Sequence, residues 1–103
     1  MGKRIIRRQI RWDATALNNF IAILDYIKEE SPINAKRVKT RIINIIRNIP
    51  QNPDMFKADA WKHNNDGTYR MFTKDSIRIS YKIEPNAIFI ARVSHTSQEP
   101  FNY

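Results

Sequence analysis

The sequence predicts an α+β fold: one strand, then an antiparallel helical hairpin, then an antiparallel sheet completed by a three-strand meander, with the hairpin packed on one sheet face. Three observations carry this. Two apolar stripes at helical spacing fill residues 13–50. After Gly67 the apolar period drops to two. The chain has 103 residues, only two of them glycine, so one domain over 1–103 with one modest core is expected.

Residues 4–12 are rich in Ile and Arg. Ile6, Ile10 and Trp12 share one parity, which predicts an amphipathic strand anchored by Trp12. Asp13 is placed to cap a helix. Leu17, Phe20, Ile21, Leu24 and Ile27 then recur at helical spacing. The stripe ends at Glu30-Ser31-Pro32, where Ser31 can cap a second helix and Pro32 fits its first turn, because a missing N–H costs nothing there. Ala35, Val38, Ile42, Ile45, Ile46 and Ile49 form the second stripe, which Pro50 stops. With almost no linker between them, the helices must run antiparallel.

Residues 51–66 lack a period and read as a loop. Strands follow at 68–73, 76–83 and 87–94, with turns at Lys74-Asp75 and Glu84-Pro85-Asn86. Ile77, Ile79, Tyr81 and Ile83 face the core by parity, and Arg78, Ser80 and Lys82 face away.

The charge constrains the partners. Eighteen Lys and Arg against ten Asp and Glu give +8, a field that attracts polyanions. Residues 1–12 and 33–49 are basic without a single acid, whereas 13–31 is net acidic. Cysteine is absent, which excludes disulfides and thiolate metal sites and fits the cytoplasm. No apolar run approaches the roughly 20 residues of a membrane span, and the basic start has no apolar signal core. No P-loop, Rossmann fingerprint or nucleophile elbow occurs. His63 and His95 have no ligand partners at metal spacing, so no metal or cofactor is expected.

The element order, the run Trp61-Lys62-His63-Asn64-Asn65-Asp66-Gly67-Thr68-Tyr69-Arg70, then Arg78-Ile79-Ser80-Tyr81 and Arg92-Val93-Ser94-His95-Thr96, together resemble the RelE/ParE superfamily of type II toxin–antitoxin toxins, which act in growth arrest and plasmid stabilisation. The resemblance covers essentially the whole chain. It implies one of two activities. RelE-like members are ribosome-dependent mRNA endonucleases (mRNA interferases), whereas ParE-like members inhibit DNA gyrase and cleave nothing. The nuclease branch leads in this reading. Its expected chemistry is metal-free attack of the RNA 2′-OH on the adjacent phosphate. Arg78 matches the phosphate-contacting Arg, His95 the acid–base His, Asp59 a base, and Lys62 and Arg70 further cations. Tyr69, Lys82, Arg92 and Tyr103 are the expected substrate contacts. Thr96 stands where YoeB-like members carry Tyr, and Tyr103 fits a RelE-like terminal Tyr only if the tail folds back. Either branch implies a small cognate antitoxin with an acidic or amphipathic segment.

Overall fold

The computed structural model describes residues 8–98, 100, 102 and 103. The first strand, β1, spans Gln9–Trp12; Ile6 and the rest of 4–7 lie outside the described residues. Helix α1 spans Ala14–Glu30, and Asp13 caps it, its carboxylate accepting from the Ala16 N–H at 3.0 Å. Helix α2 spans Pro32–Asn48. Ser31 serves both helices. Its N–H donates to the Ile27 carbonyl at 2.9 Å, and its hydroxyl accepts from the Asn34 N–H at 3.1 Å. One extended residue therefore closes one helix and opens the next.

Past a 3₁₀ turn at Ile49–Gln51 come β2 (Lys57–Ala58), β3 (Tyr69–Lys74), β4 (Ile77–Ile83) and β5 (Ala87–His95). The sheet order is β1-β5-β4-β3-β2. The meander β3-β4-β5 is antiparallel, as expected. β1 joins β5 in parallel, so the sheet is mixed rather than wholly antiparallel. The connection from β1 to β5 runs through the helical hairpin and β2–β4, and β4, antiparallel to β5, brings the chain back to the end at which β1 began. β2 falls inside the expected loop, and two residues are too few to show a period.

Phe72, Ile77, Ile79, Tyr81, Ile88, Ile90 and Val93 line the helix-side face and pack against Phe20, Val38, Ile42, Ile46 and Ile49. Of the first helical stripe, Phe20 is buried but Leu17 and Ile21 are 39% and 47% exposed. The buried arc of α1 is turned toward Ala16, Phe20, Ile23 and Ile27, where it meets β5 and Trp12. The β3–β4 turn is Asp75-Ser76, one residue later than expected, with φ of 53° and 64°. Both central residues are left-handed, the mirror turn that matches strand twist. Arg41 of α2 clamps it by a 2.7 Å ion pair with Asp75.

One irregularity governs the site. Ser80 pairs with Arg92, but the next residue, Tyr81, pairs with Ile90, leaving Ala91 as a bulge. A bulge inverts the inside–outside alternation beyond it. Strict alternation would put Arg92 on the same face as Ile88 and Ile90, and His95 on the other. The bulge exchanges them.

Candidate functional site

The open face of the sheet, opposite the helices, is a grid of three cross-strand rows. Partners directly opposite one another share a face. The first row is Tyr69, Lys82, Phe89 and Arg11; the second Met71, Ser80 and Arg92; the third Thr73, Arg78 and Ser94. Arg78 donates to the Ser94 hydroxyl at 3.2 Å. Beside the third row the edge of β5 runs past the start of α1, and Asn19 donates to the Val93 carbonyl at 3.3 Å. A cleft of about 250 Å³ opens there, lined by Arg78, Ser80, Arg92, Ser94, Trp61 and Tyr103, with Asp13 and Thr15 from the helix start.

The loop from Asp59 to Thr68 overhangs this face. Asn65 staples it: its amide donates to the Asp59 and Tyr69 carbonyls at 3.2 and 2.9 Å, and its oxygen accepts from the Gly67 N–H at 2.9 Å. Gly67 supplies φ of +94°, a conformation L side chains rarely adopt. On the other side, Tyr81 reaches through the core to the Pro53 carbonyl at 2.7 Å, and burial pushes its phenol pKa up to about 12.

Tyr103 folds back onto the open face. Its N–H donates to the Trp61 carbonyl at 3.0 Å, and its carbonyl accepts from the His63 N–H. Its ring lies 4.1 Å from the Arg92 guanidinium and meets Tyr69 edge-on, with centroids 5.9 Å apart. Its hydroxyl donates to Asp59 Oδ2 at 2.6 Å. Burial first, then the bond to Asp59, pushes the phenol well above its ordinary pKa, against an opposing hydrogen bond from Ser80. The Lys62 ammonium stands 4.9 Å from the Tyr69 ring and 5.5 Å from the Tyr103 ring, and Lys82 stands 5.6 Å from Tyr69. Tyr103 therefore sits amid Lys62 and Arg92, beside Tyr69, and covers Ser80, which is 5% exposed.

The open face thus brings together Arg78, Lys62, Tyr69, Lys82, Arg92 and Tyr103. Asp59 lies beneath them, 2% exposed, with both carboxylate oxygens already engaged, one by Tyr103 and the other by the Trp61 N–H at 3.0 Å. It is not presented to an incoming base or hydroxyl, as a general base must be.

Two expected members are elsewhere. Arg70 is in register with Tyr81 on the helix-side face, where it donates to the Gly67 and Phe56 carbonyls at 3.0 and 2.9 Å and holds the loop. His95 is in register with Ile77, also on the helix-side face, because of the Ala91 bulge. Its Nδ1 accepts from the Ser97 N–H at 3.0 Å and meets the Ser97 hydroxyl at 2.7 Å. Arg78 therefore shares its face with neither Arg70 nor His95. Among the described residues no three His, Asp or Glu side chains gather to hold a metal ion. Ser80, Ser94 and Trp61 belong to the site without having been expected. Ser80 was visible as an outward position; Trp61 and Ser94 stood in the runs that carry the resemblance, but nothing there singled them out as site residues.

A second surface lies between the helices. Leu17, Ile21, Leu24 and Ile43 floor a groove whose rim carries Lys28, Lys36 and Lys39 with Asp25. No helix among the described residues is long and apolar enough to cross a membrane.

Comparison with known proteins agrees with this architecture. A chain of the chromosomal ParDE toxin–antitoxin system from P. aeruginosa superposes with a TM-score of 0.68 over 88% of this chain and 98% of that one, at 16% identity. No curated protein sequence matches. The family model for the ParE toxin of the type II toxin–antitoxin system parDE matches residues 10–100, from the inward Ile10 of β1 to the returning tail. With that match over nearly the whole chain, the protein belongs to the ParE toxin family of type II toxin–antitoxin systems.

Proposed function

We propose that this toxin arrests growth by binding and inhibiting DNA gyrase, without cleaving nucleic acid, and that a cognate antitoxin restrains it. One observation carries the reading beyond family membership: the Ala91 bulge turns His95 to the helix-side face while Arg78 stays on the open face. Metal-free RNA cleavage needs a proton-transfer group within hydrogen-bond reach of the attacking 2′-OH and the leaving 5′-oxygen of a phosphate held by Arg78, and of the two candidates read from the sequence Asp59 is engaged while His95 faces away. Inhibition by binding needs only a charged, shaped surface, which the open face and the basic α2 supply. Gyrase places the site of action in the cytoplasm.

The antitoxin segment suited to the α1–α2 groove is an amphipathic helix with acids beside its apolar stripe, matching Lys28, Lys36 and Lys39 around Leu17, Ile21 and Ile43. Its affinity falls with salt in proportion to the charges it pairs.

The test is a supercoiling assay with purified gyrase and this protein. Loss of supercoiling is expected, with no new mRNA 5′ ends when the protein is added to translating ribosomes. Intact supercoiling with fresh mRNA ends would overturn the proposal. One observation favours the ribosome-dependent nuclease as a second reading: Tyr103 does fold back among Lys62, Arg92 and Tyr69, with Arg78 in the same cleft. That reading requires Tyr103→Phe to abolish cleavage.

A further inference from the structure

The contacts of Tyr103 recognise three separate parts of an extended tyrosine. Its main chain donates to the Trp61 carbonyl at 3.0 Å and accepts from the His63 N–H, the pattern of a parallel strand added beside residues 61–63. Its ring lies on the Arg92 guanidinium at 4.1 Å and against the edge of Tyr69. Its hydroxyl ends on the Asp59 carboxylate at 2.6 Å. The receiving groups are held independently of the tail. The Trp61 N–H fixes Asp59 Oδ1, Asn65 staples the loop to Tyr69, and the sheet register fixes Tyr69 and Arg92.

We propose that this pocket is a tyrosine-recognising peptide site, filled in cis by Tyr103 and able to take in trans an extended partner segment. That segment adds in parallel beside residues 61–63 and seats a tyrosine on Asp59. Lys62 beside the Tyr103 ring and Lys82 beside the neighbouring Tyr69 favour a segment with acidic residues next to the tyrosine. Strand addition gives such a segment affinity through main-chain bonds, and the side-chain pocket gives it specificity. The proposal does not depend on which target the toxin inhibits.

A tethered tail competes at an effective concentration of about 1 mM. A free peptide with a dissociation constant near 0.1 mM is then weakened roughly 10-fold by the intact tail.

The experiment titrates a labelled peptide with the sequence of residues 97–103, SQEPFNY, against the full-length Tyr103→Ala protein and the unaltered protein. The peptide is expected to bind the variant, and to bind the unaltered protein roughly 10-fold more weakly. A peptide with Phe in place of the tyrosine is expected to bind the variant about 10- to 100-fold more weakly, the fold-change a charge-assisted hydrogen bond confers. Adding Arg92→Ala to the variant should weaken the tyrosine peptide further. Equal binding of the tyrosine and phenylalanine peptides, or no binding to a folded variant, would overturn the proposal. The unaltered protein gives a second readout should the variant misfold. Excess peptide must displace the tail and so perturb the protein's own Tyr103 amide resonance, whose N–H donates to Trp61 when docked, and an unchanged resonance at millimolar peptide is equally fatal.

Discussion

Tyr103→Phe removes one hydroxyl and leaves the ring beneath Arg92. The lost bond is short, 2.6 Å, and ends on a carboxylate that is 2% exposed. Hydrogen bonds to charged groups contribute about 1.5–3 kcal/mol, and more of that survives where water is excluded. A loss near 2 kcal/mol corresponds to a melting temperature lower by about 8–16 °C in a domain of this size. Undocking of the tail caps the loss, and hydrogen exchange at the His63 N–H, which donates to Tyr103, reports that undocking. Asp59→Asn keeps the volume and removes the charge. Urea unfolding of the two single variants and the double variant should give a coupling energy of about 1–2 kcal/mol. A coupling below about 0.3 kcal/mol would mean the two groups act independently, and the latched tail would be refuted.

Other consequences follow from the core, the turn and the buried phenols. Ile42→Ala, at a position with 0% exposure, should cost about 2–5 kcal/mol in urea unfolding, whereas Ile33→Ala, at 67% exposure, should stay within about 0.5 kcal/mol. Ser76→Gly should stabilise the fold by about 0.5 kcal/mol in the same assay, because Ser76 sits at φ of 64°, a conformation that glycine adopts without strain. Tyr81 keeps its proton in the folded state up to about pH 12, against an ordinary value of 10.0, and Tyr103 shifts in the same direction. Raised acid pKa values give stability that is complete below pH 10 and is lost as the pH climbs through 12. The urea midpoint should therefore fall steeply across that window, and Tyr81→Phe should flatten the fall.

Much of the fold was legible because local signals agreed with one another. Asp13, Ser31 and Pro32 each cap or open a helix as their chemistry dictates. The second stripe is buried at Ala35, Val38, Ile42, Ile46 and Ile49. The alternation of β4 placed Ile77, Ile79 and Tyr81 inward and Arg78 outward, as the sheet has them. The site was less legible because it depends on non-local register. In residues 87–95 the β-branched positions run Ile88, Ile90 and then Val93, and that odd step is the trace of the Ala91 bulge. Without it, the parity of His95 is inverted and the catalytic set looks convergent. The facing of Arg70 was not legible, because its register against Tyr81 is set by β4. The return of Tyr103 was invisible, since its partners Trp61, His63 and Asp59 lie some forty residues away.

The central claim, binding inhibition of gyrase without RNA cleavage, is tested most directly in one induced culture of the unaltered toxin sampled for both plasmid topology and mRNA 5′ ends. The expected result is progressive loss of negative supercoiling while the mRNA ends stay as they were before induction. Plasmid that stays supercoiled while new ends accumulate within translated codons would contradict it.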